Sequence, residues 1–267
     1  KMIKDYGHHA HLITNGFLLP QKAKNLIDAG LDSIQVSLDG PREVHNEIRG
    51  GDFYERAIEG LKIINQYSNI MVIINCTISN LNYPYLLDFL NEINKEVKVD
   101  LLKFQFLDFV SEEMKARQND HYPVKCTTSS ISELVDPRKV DVKKLGEQLR
   151  AIKPANYTNI KEIAIVPFIT SENGLEDYFN VEGWRIEDND KCNLPWRSFT
   201  FRTDGKIIVN MRCFNYVYGD FNKNSIEEIW VDGEKINWFR NELKKVKQCF
   251  PFCTRCCGVM KFYYGPS

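Results

Sequence analysis

Between Ala10 and Phe109, short apolar runs alternate with amphipathic segments long enough to form helices, and this feature most constrains the fold. The pattern is typical of repeated βα units with a parallel sheet. Four strands are predicted at "AHLITNG", "DSIQVSLDG", "IMVIINCTIS" and "DLLKFQFLDF", and three crossover helices at "QKAKNLIDAG", "FYERAIEGLKIINQY" and residues 83–94. Gly30 is expected to cap the first of these helices. Such units belong either to an open α/β sheet or to a TIM-type barrel.

The second half of the chain has a looser pattern. Residues 111–190 are largely polar, although "KEIAIVPFI" predicts one more strand and "DVKKLGEQLRAI" one more helix. A second, smaller unit is predicted to begin at Cys192. In it, "SFTFRTDGKIIVN" predicts a hairpin with Asp204-Gly205 as its two-residue turn, because this pair suits the positive φ angles of a type I′ turn. The residues 225–228, "SIEE", predict a capping box that opens a helix.

Composition excludes several classes of function. The 267 residues are 43% hydrophobic and 27% charged with a formal net charge of -1, which is ordinary for a globular protein and does not indicate nucleic-acid binding. No apolar run is long enough to cross a membrane and the N-terminus lacks the order of a signal peptide, so a cytoplasmic protein is expected. The chain begins at Lys1 with what resembles the end of a helix closing at Gly7. We therefore expect that further residues precede Lys1.

Cysteines are concentrated towards the C-terminus. Six of the eight lie there: Cys192, Cys213, Cys249, Cys253, Cys256 and Cys257. In a reducing compartment, cysteines in such a group are more often metal ligands or redox groups than disulfides. Cys253 and Cys256 form a CxxC pair, the spacing at which two thiolates meet on one metal or cluster. Cys192 and Cys213 flank the predicted hairpin, which returns the chain to its start, so four ligands can be assembled.

The remaining cysteines are interpreted differently. Cys249 is the expected substitute or extra ligand, whereas Cys257 is expected to point away from its neighbour and to be unligated. Cys76 and Cys126 are interpreted as small hydrophobes or incidental thiols. Spacing alone does not separate a zinc site from an iron–sulfur cluster.

Several segments resemble a known family. "HLITNG", "AGLDSIQVSLDGPREVHNEIRGGDFYERAIEGLK" and "INCTISNLN" resemble strands three, four and five of the radical S-adenosylmethionine (SAM) partial barrel. The tail, from "CNLPWRSFTFRTDGKIIVNMRC" through "SIEEIW" to "CTRC", is similar to the auxiliary-cluster domain called SPASM or to its shorter twitch form. The resemblance implies a partial radical SAM barrel in residues 1–190, with a variable segment at 111–190, and an auxiliary cluster domain in residues 191–267.

The resemblance also implies roles for particular residues. The implied cofactor-binding residues lie at or after strand ends: Thr14, Asn15, Ser37, Asp39, Arg49 and Thr77. Ser37 and Arg49 resemble the contacts to the methionyl carboxylate of SAM, since a fixed guanidinium suits a carboxylate. Asp39 and Asn15 would lie near the ribose or the substrate. Asp39 and Asn15, each followed by glycine, are also ordinary turn residues, and Arg49 is also explained as a solvated charge.

Two further groups could carry chemistry. Asp108 follows the fourth strand, where a carboxylate could take a proton from substrate, but a surface carboxylate explains it equally. The histidines of "GHHAH" are not expected to bind metal, because the ligands would have to come from one short turn and strand.

The sequence departs from the family in one respect. Its barrel part, residues 1–190, contains neither the CxxxCxxC that holds the SAM-cleaving [4Fe–4S] cluster nor the glycine-rich contact to the SAM amino group. Both belong to the first two βα units of the barrel, which would precede Lys1. Either the N-terminal part is missing from this chain, or the protein is a degenerate relative without SAM chemistry.

The resemblance implies a function for the intact enzyme. Reductive cleavage of SAM at a second [4Fe–4S] cluster would yield a 5′-deoxyadenosyl radical that abstracts hydrogen from a substrate. The auxiliary [4Fe–4S] cluster, held by Cys192, Cys213, Cys253 and Cys256, would accept an electron or help to place that substrate. A peptide or protein substrate is expected rather than a sugar, with flavodoxin or ferredoxin as electron donor. The alternative is a non-catalytic zinc or iron–sulfur protein whose α/β domain binds a ligand or partner.

Overall fold

A computed structural model describes residues 1–67, 69–125, 129–180, 184, 191–210, 216–247 and 249–256. These residues form two compact units. The first contains Lys1–Leu107 and Val135–Phe179, and the second contains Asp108–Leu134 together with described residues from Asn180 onward. The contacts thus group Asp108–Leu134 with the C-terminal part of the chain. The domain boundary after residue 190 stays a prediction.

The first unit is built on a five-stranded parallel sheet with the strand order β1-β2-β3-β4-β5. The strands are His11–Thr14, Ser33–Ser37, Met71–Ile78, Leu101–Phe106 and Ile163–Val166. The sheet is open, because β1 and β5 form its two edges. All four predicted strands and the additional strand in "KEIAIVPFI" are confirmed, and so is the α/β class of an incomplete barrel.

Helices connect the strands. The helices α1 to α9 are Met2–Asp5, Leu19–Asp28, Arg42–Arg49, Phe53–Ile64, Leu86–Glu96, Glu112–His121, Val142–Ala151, Glu172–Asn180 and Glu234–Lys245. Short 3-10 turns occur at Tyr83–Tyr85, Pro137–Lys139, Pro154–Asn156, Leu194–Trp196 and Pro251–Cys253. Helix α2 ends as predicted, with Gly30 at a φ of 84° adopting the left-handed conformation that closes it. None of the described helices is long and apolar enough to cross a membrane.

One face of the parallel sheet is packed against helices. Val36, Ile74 and Phe104 are fully buried on this face, and Phe104 contacts Phe89 of α5 with ring centroids 6.4 Å apart. The approach of α4 is close enough to require glycine at one position. A Cβ built on Gly16, which has a φ of 79°, would lie 2.7 Å from the Cβ of Ala57.

The second unit contains a three-stranded antiparallel sheet with the order β6-β7-β8. Its strands are Thr200–Phe201, Lys206–Ile208 and Val217–Asp220. Helices α6 and α9 belong to this unit, and their apolar side chains share one buried cluster with the sheet and with cysteines. The cluster contains Val110, Met114, Val124, Cys192, Ile207, Val209, Tyr218, Ile229, Ile236, Phe239, Leu243, Cys249, Phe250, Phe252, Cys253 and Cys256.

The predicted hairpin exists, but its turn differs. Gly205 has a φ of 79°, whereas Asp204 does not have a positive φ, so the turn is not type I′. Arg202 N–H donates to the Lys206 carbonyl and Gly205 N–H donates to the Arg202 carbonyl. These bonds define a three-residue loop in which a type I turn is followed by a left-handed glycine, the second common solution for a hairpin.

The predicted capping box is confirmed. Ser225 N–H donates to Glu228 Oε2 at 2.8 Å, and Glu228 N–H donates to Ser225 Oγ at 3.1 Å. The helical segment that follows continues as a π-helix over Glu228–Asp232. Helices α3, α6, α8 and α9 were not predicted. Their sequences are polar, and α3 buries His45 alone.

Candidate SAM site and cysteine cluster

The face of the parallel sheet opposite α4 and α5 carries a row of polar side chains. Register pairs Ser37 with Asn75, and Asn75 with Lys103, across β2, β3 and β4. Thr77 and Gln105 form the next pair on the same face. Ser37, Thr77 and Gln105 stand near the carboxyl ends of their strands, where parallel α/β folds bind ligands.

Asp39, just after β2, is held at four of its atoms. Its N–H donates to His45 Nδ1 at 2.9 Å, and its carbonyl accepts from Asn82 Nδ2 at 2.7 Å. Its carboxylate accepts from Thr77 N–H at 3.2 Å and from the Arg49 guanidinium. With only 6% of its surface exposed, Asp39 is therefore fixed in both backbone and side chain.

Local structure explains why these groups meet. Helix α3 starts after Pro41 and ends at Gly50, whose φ of 75° is the left-handed cap. His45 and Arg49 are four residues apart and so share a face of this helix, directed at Asp39. Asn82 lies in the turn after β3, where its Oδ1 also accepts from Ser79 N–H at 2.7 Å and its Nδ2 donates to the Thr77 carbonyl at 2.8 Å.

His45 is a buried, neutral ring. Burial is the main reason that its pKa is lowered to about 4, and the nearby positive charge of Arg49 lowers it further, whereas Asp39 and Glu55 oppose the change. Because Nδ1 accepts the Asp39 N–H, the ring proton sits on Nε2. That Nε2 has no hydrogen-bond partner in the part of the chain that the structure describes. His45 therefore acts as an uncharged acceptor that orients the Asp39 peptide.

The polar groups that remain fit a zwitterionic ligand such as SAM. Asn75 is 8% exposed, yet its Oδ1 has no partner among the described residues. Arg49 is about one-third exposed at its side chain, and its ion pair with Asp39 uses only one of its five N–H donors. Ser37 presents a hydroxyl on the same face as Asn75. Together they offer a fixed guanidinium for a carboxylate, and a hydroxyl and an amide oxygen for polar groups.

Thr14 and Asn15 make local contacts instead. Thr14 Oγ1 accepts from Gly16 N–H and Asn15 Oδ1 accepts from Phe17 N–H, each at 3.1 Å. Thr14 also pairs in register with Val36, on the helix-packed face. Their cofactor-binding role stays a prediction.

Two other groups are candidates by sequence. Asp108 belongs by its contacts to the second unit, so its predicted role in proton transfer stays a prediction. His9 Nε2 and His11 Nδ1 both hydrogen-bond Ser33 Oγ, at 2.8 and 2.7 Å, which gives these histidines a structural role.

Four cysteines of the second unit share its buried cluster. Cys192, Cys249, Cys253 and Cys256 are each at most 6% exposed. Cys213, Cys257 and Cys126 lie outside the described residues. Within the described residues, no three His, Cys, Asp or Glu side chains converge as metal ligands. Soft thiolates of this kind suit an iron–sulfur cluster or zinc, so the donor chemistry fits and the ligand set stays a prediction.

Cys76 on β3 matches its interpretation as a small buried residue. It is 0% exposed, and burial raises the pKa of its thiol well above the usual value, with Asp39 adding to the effect. The side-chain amide of Asn82 lies 3.8 Å from its Sγ.

Sequence reasoning missed His45, Asn75, Asn82 and Lys103. His45 and Asn82 hydrogen-bond to backbone groups, and Asn75 has a side-chain oxygen without a partner among the described residues. None of the three belongs to a sequence motif for ligand binding. A weak signal existed for His45, which precedes Arg49 by one helical turn.

Comparison with known proteins agrees with this geometry. Residues 1–93 match the family model described as the Radical SAM superfamily, and residues 192–257 match SPASM, an iron–sulfur cluster-binding domain. A solved structure of the protein anSMEcpe, with a hexahistidine tag and bound AdoMet, is similar with a TM-score of 0.56 and 17% identity, covering 97% of this chain and 68% of that one. At this identity the likeness shows the fold.

Curated relatives match different lengths of the chain. A GTP 3′,8-cyclase of Limosilactobacillus fermentum is 33% identical over 107 residues, 39% of this chain and 32% of that protein. A probable GTP 3′,8-cyclase of Saccharolobus islandicus is 34% identical over 100 residues, 37% of this chain and 32% of that protein. The Fe-coproporphyrin III synthase of Methanosarcina barkeri is 22% identical over 260 residues, 95% of this chain and 62% of that protein. The chain thus spans about a third of the length of these two GTP 3′,8-cyclase relatives.

Proposed function

Because the chain belongs to the radical SAM superfamily and carries a SPASM domain, we propose that it contributes the SAM carboxylate site and an auxiliary [4Fe–4S] site to a radical SAM enzyme. SAM, when bound with its own [4Fe–4S] cluster, supplies the radical chemistry that removes a hydrogen atom from substrate. The observation that carries the proposal is the fixed pair of Asp39 and Arg49, together with Ser37 and Asn75 in one register pair, where Asn75 Oδ1 has no partner among the described residues.

Each residue has a separate task in this proposal. Arg49 and Ser37 bind the methionyl carboxylate of SAM, and Asp39 holds the guanidinium in the orientation that this requires. Thr77 contributes through its N–H, which anchors Asp39. His45 and Asn82 act indirectly, by fixing the Asp39 peptide.

The substrate and the electron donor are also proposals. A peptide or protein substrate, with flavodoxin or ferredoxin as electron donor, remains our proposal. The relatives named GTP 3′,8-cyclase and Fe-coproporphyrin III synthase make a nucleotide or a tetrapyrrole the competing substrate class.

The SAM site is tested by binding rather than by turnover, since the barrel part of this sequence, residues 1–190, contains no CxxxCxxC motif. Isothermal titration with SAM should give a Kd that Arg49→Gln raises by about tenfold or more, because charge-assisted hydrogen bonds contribute about 1.5–3 kcal/mol. Ser37→Ala should raise it by roughly fivefold, for the loss of about 1 kcal/mol. Ser37→Ala also disturbs the folded protein less than Arg49→Gln does, because Arg49→Gln leaves the buried Asp39 carboxylate without its cation.

Arg56→Gln is the matched control. Arg56 also pairs with an aspartate, Asp52, but on the solvent side of α4, so the Kd for SAM should stay within about twofold. Unchanged SAM binding in both Arg49→Gln and Ser37→Ala would refute the site.

The auxiliary site is tested by metal content. We propose Cys192, Cys213, Cys253 and Cys256 as its ligands, with Cys249 as the substitute because it lies in the same buried cluster. After anaerobic reconstitution with iron and sulfide, Cys256→Ser should lower the iron content and Cys257→Ser should not. If Cys249→Ser lowers the iron content and Cys253→Ser does not, then Cys249 is a ligand in place of Cys253. Bound zinc without iron would instead support the non-catalytic alternative.

A further inference from the structure

A cavity of about 440 Å³ lies at the amino ends of β3, β4 and β5 in the first unit. Small-molecule sites in proteins have volumes of roughly 300–1,000 Å³. Ile70, Val72 and Val99 form its apolar wall, and each is at most 4% exposed. Val72 and Thr77 of the candidate SAM site are both on β3, and this separation is roughly 17 Å at about 3.3 Å per residue. A ligand in this cavity is therefore too far from the candidate SAM site to be the reacting group.

Hydrogen bonds of two asparagines hold the backbone around the cavity. Asn65 Nδ2 donates to the Lys98 carbonyl at 3.0 Å, and Lys98 N–H donates to Asn65 Oδ1 at 2.8 Å. Lys161 N–H donates to the Val99 carbonyl at 2.9 Å, and Val99 N–H donates to the Asn159 carbonyl at 2.8 Å. Because these backbone groups are paired, the positions from which the side chains of Lys98 and Lys161 extend are fixed.

Three side chains that line the cavity have no partner among the described residues. The ammoniums of Lys98 and Lys161 are exposed and form neither a hydrogen bond nor an ion pair there, and the Tyr67 ring, 41% exposed, contacts no other ring or cation there. Asp100 also lines the cavity, but its carboxylate already accepts from Val72 N–H at 2.8 Å. The described lining therefore carries two positive charges and one negative charge.

An adjacent cavity has the opposite balance of charge. Its volume is about 330 Å³, and it shares Ile70, Asp100 and Lys161 with the first cavity but adds Asp32 and Glu162. The three carboxylates outnumber the one ammonium, so this second cavity disfavours an anion. Of the two cavities, only the first has a charge balance that suits an anion.

We propose that the first cavity binds a small aromatic anion, a planar ring that bears a phosphate or a carboxylate, through Tyr67, Lys98 and Lys161. An ammonium has donors and no acceptors, so it selects an anion over a neutral group. The exposed ring of Tyr67 stacks on the planar ring of the ligand. A nucleoside monophosphate and an aromatic carboxylate share this chemistry. The proposal does not depend on SAM binding.

Isothermal titration at constant ionic strength tests the class of ligand. AMP and benzoate are titrated separately, and the one that binds more tightly identifies the anionic group. Adenosine and benzyl alcohol, their neutral counterparts, should bind at least about fivefold more weakly, because they offer no charge to the two ammoniums.

Variants of the three side chains test the place of binding. Lys98→Met and Lys161→Met should each raise the Kd of the preferred anion by about threefold, and the double variant by about tenfold, because ion pairs that are open to solvent are weak. Tyr67→Ala should raise it by about fivefold or more through the loss of stacking. All three side chains are exposed, so the variants should fold as the wild type does.

Two controls separate this cavity from general surface charge and from the candidate SAM site. The double variant Lys22→Met with Lys24→Met removes two exposed lysines of α2 and should leave the Kd within about twofold. Since AMP resembles part of SAM, the titration with AMP is repeated in excess SAM, where the Kd should again be unchanged.

The proposal is overturned if neither AMP nor benzoate binds, or if the double variant of Lys98 and Lys161 binds them as the wild type does. It is also overturned if the α2 double variant weakens binding as strongly, because the effect would then be general charge screening. Displacement of AMP by SAM would overturn it as well, by locating AMP at the candidate SAM site. A failure of SAM to bind in the separate SAM titration refutes the proposed function alone, since the dependence on Lys98 and Lys161 is measured without SAM.

Discussion

The lowered pKa of His45 predicts that the protein loses stability in mild acid. Its pKa in the folded chain is lowered to about 4, against 6.5 for an ordinary histidine. Above pH 6.5 the ring is neutral in both folded and unfolded chains, and the favourable burial is fully present. As the pH falls from 6.5 towards 4, the unfolded chain takes up a proton that the folded chain excludes, so the free energy of unfolding decreases.

The difference between the two pKa values sets the size of the effect. It corresponds to about 3 kcal/mol once both states are protonated, and about 2 kcal/mol of this is lost already at pH 5. Asp39 and Glu55 favour the protonated ring and Arg49 opposes it, but burial is the largest influence. The acceptor role at Asp39 N–H adds to the loss, because a protonated Nδ1 cannot accept it.

Urea unfolding at pH 8 and pH 5 measures this effect. Wild type is compared with His45→Gln, which offers a neutral acceptor at any pH, and with His8→Gln, which removes an exposed histidine of the same unit. The decrease in unfolding free energy should be about 2 kcal/mol smaller in His45→Gln than in the other two proteins. Equal decreases in all three, or an NMR titration of His45 near pH 6.5, would refute the argument.

Two further predictions concern packing and capping. Gly60→Ala should lower the unfolding free energy by about 1–3 kcal/mol, because a Cβ there would lie 2.5 Å from the Cβ of Leu19; Gly51→Ala, whose Cβ would find its nearest atoms at 3.7 Å in Phe53, should be much milder in the same urea experiment. Ser225→Ala should cost about 1 kcal/mol, measured as a lower melting temperature of the second unit, because it removes one of the two bonds of the capping box.

The strands were predictable and several helices were not, for a physical reason. The strands are apolar runs that need burial on a sheet, and the sequence shows that need directly. Helix α3, by contrast, buries a single residue, His45, so no apolar stripe indicates it. It forms where Pro41 opens it and Gly50 closes it, and its purpose is the placement of His45 and Arg49.

The candidate site was predictable only where residue type suggests chemistry. Asp39 and Arg49 were expected from the resemblance, and the structure brings them together. The contribution of Asn82 could not be foreseen, because its side chain bonds to the backbone of Asp39 and Thr77, and backbone partners carry no sequence signal. The predicted turn type of the hairpin was wrong because Asp-Gly suits both a two-residue and a three-residue loop.

The row of polar side chains on the sheet depends on the face to which strand alternation assigns each residue. "LLKFQF" is an apolar run with two polar interruptions, and alternation assigns Lys103 and Gln105 to one face and Phe104 to the other. The same holds for Asn75 and Thr77 in β3. The polar residues of β3 and β4 lie side by side on one surface because the strand register pairs Asn75 with Lys103. A slip of one residue would place Phe104 beside Asn75 and move the ammonium of Lys103 to the helix-packed face. Because burying that charge among helices costs free energy, the same register that aligns the polar side chains is favoured over the slipped one.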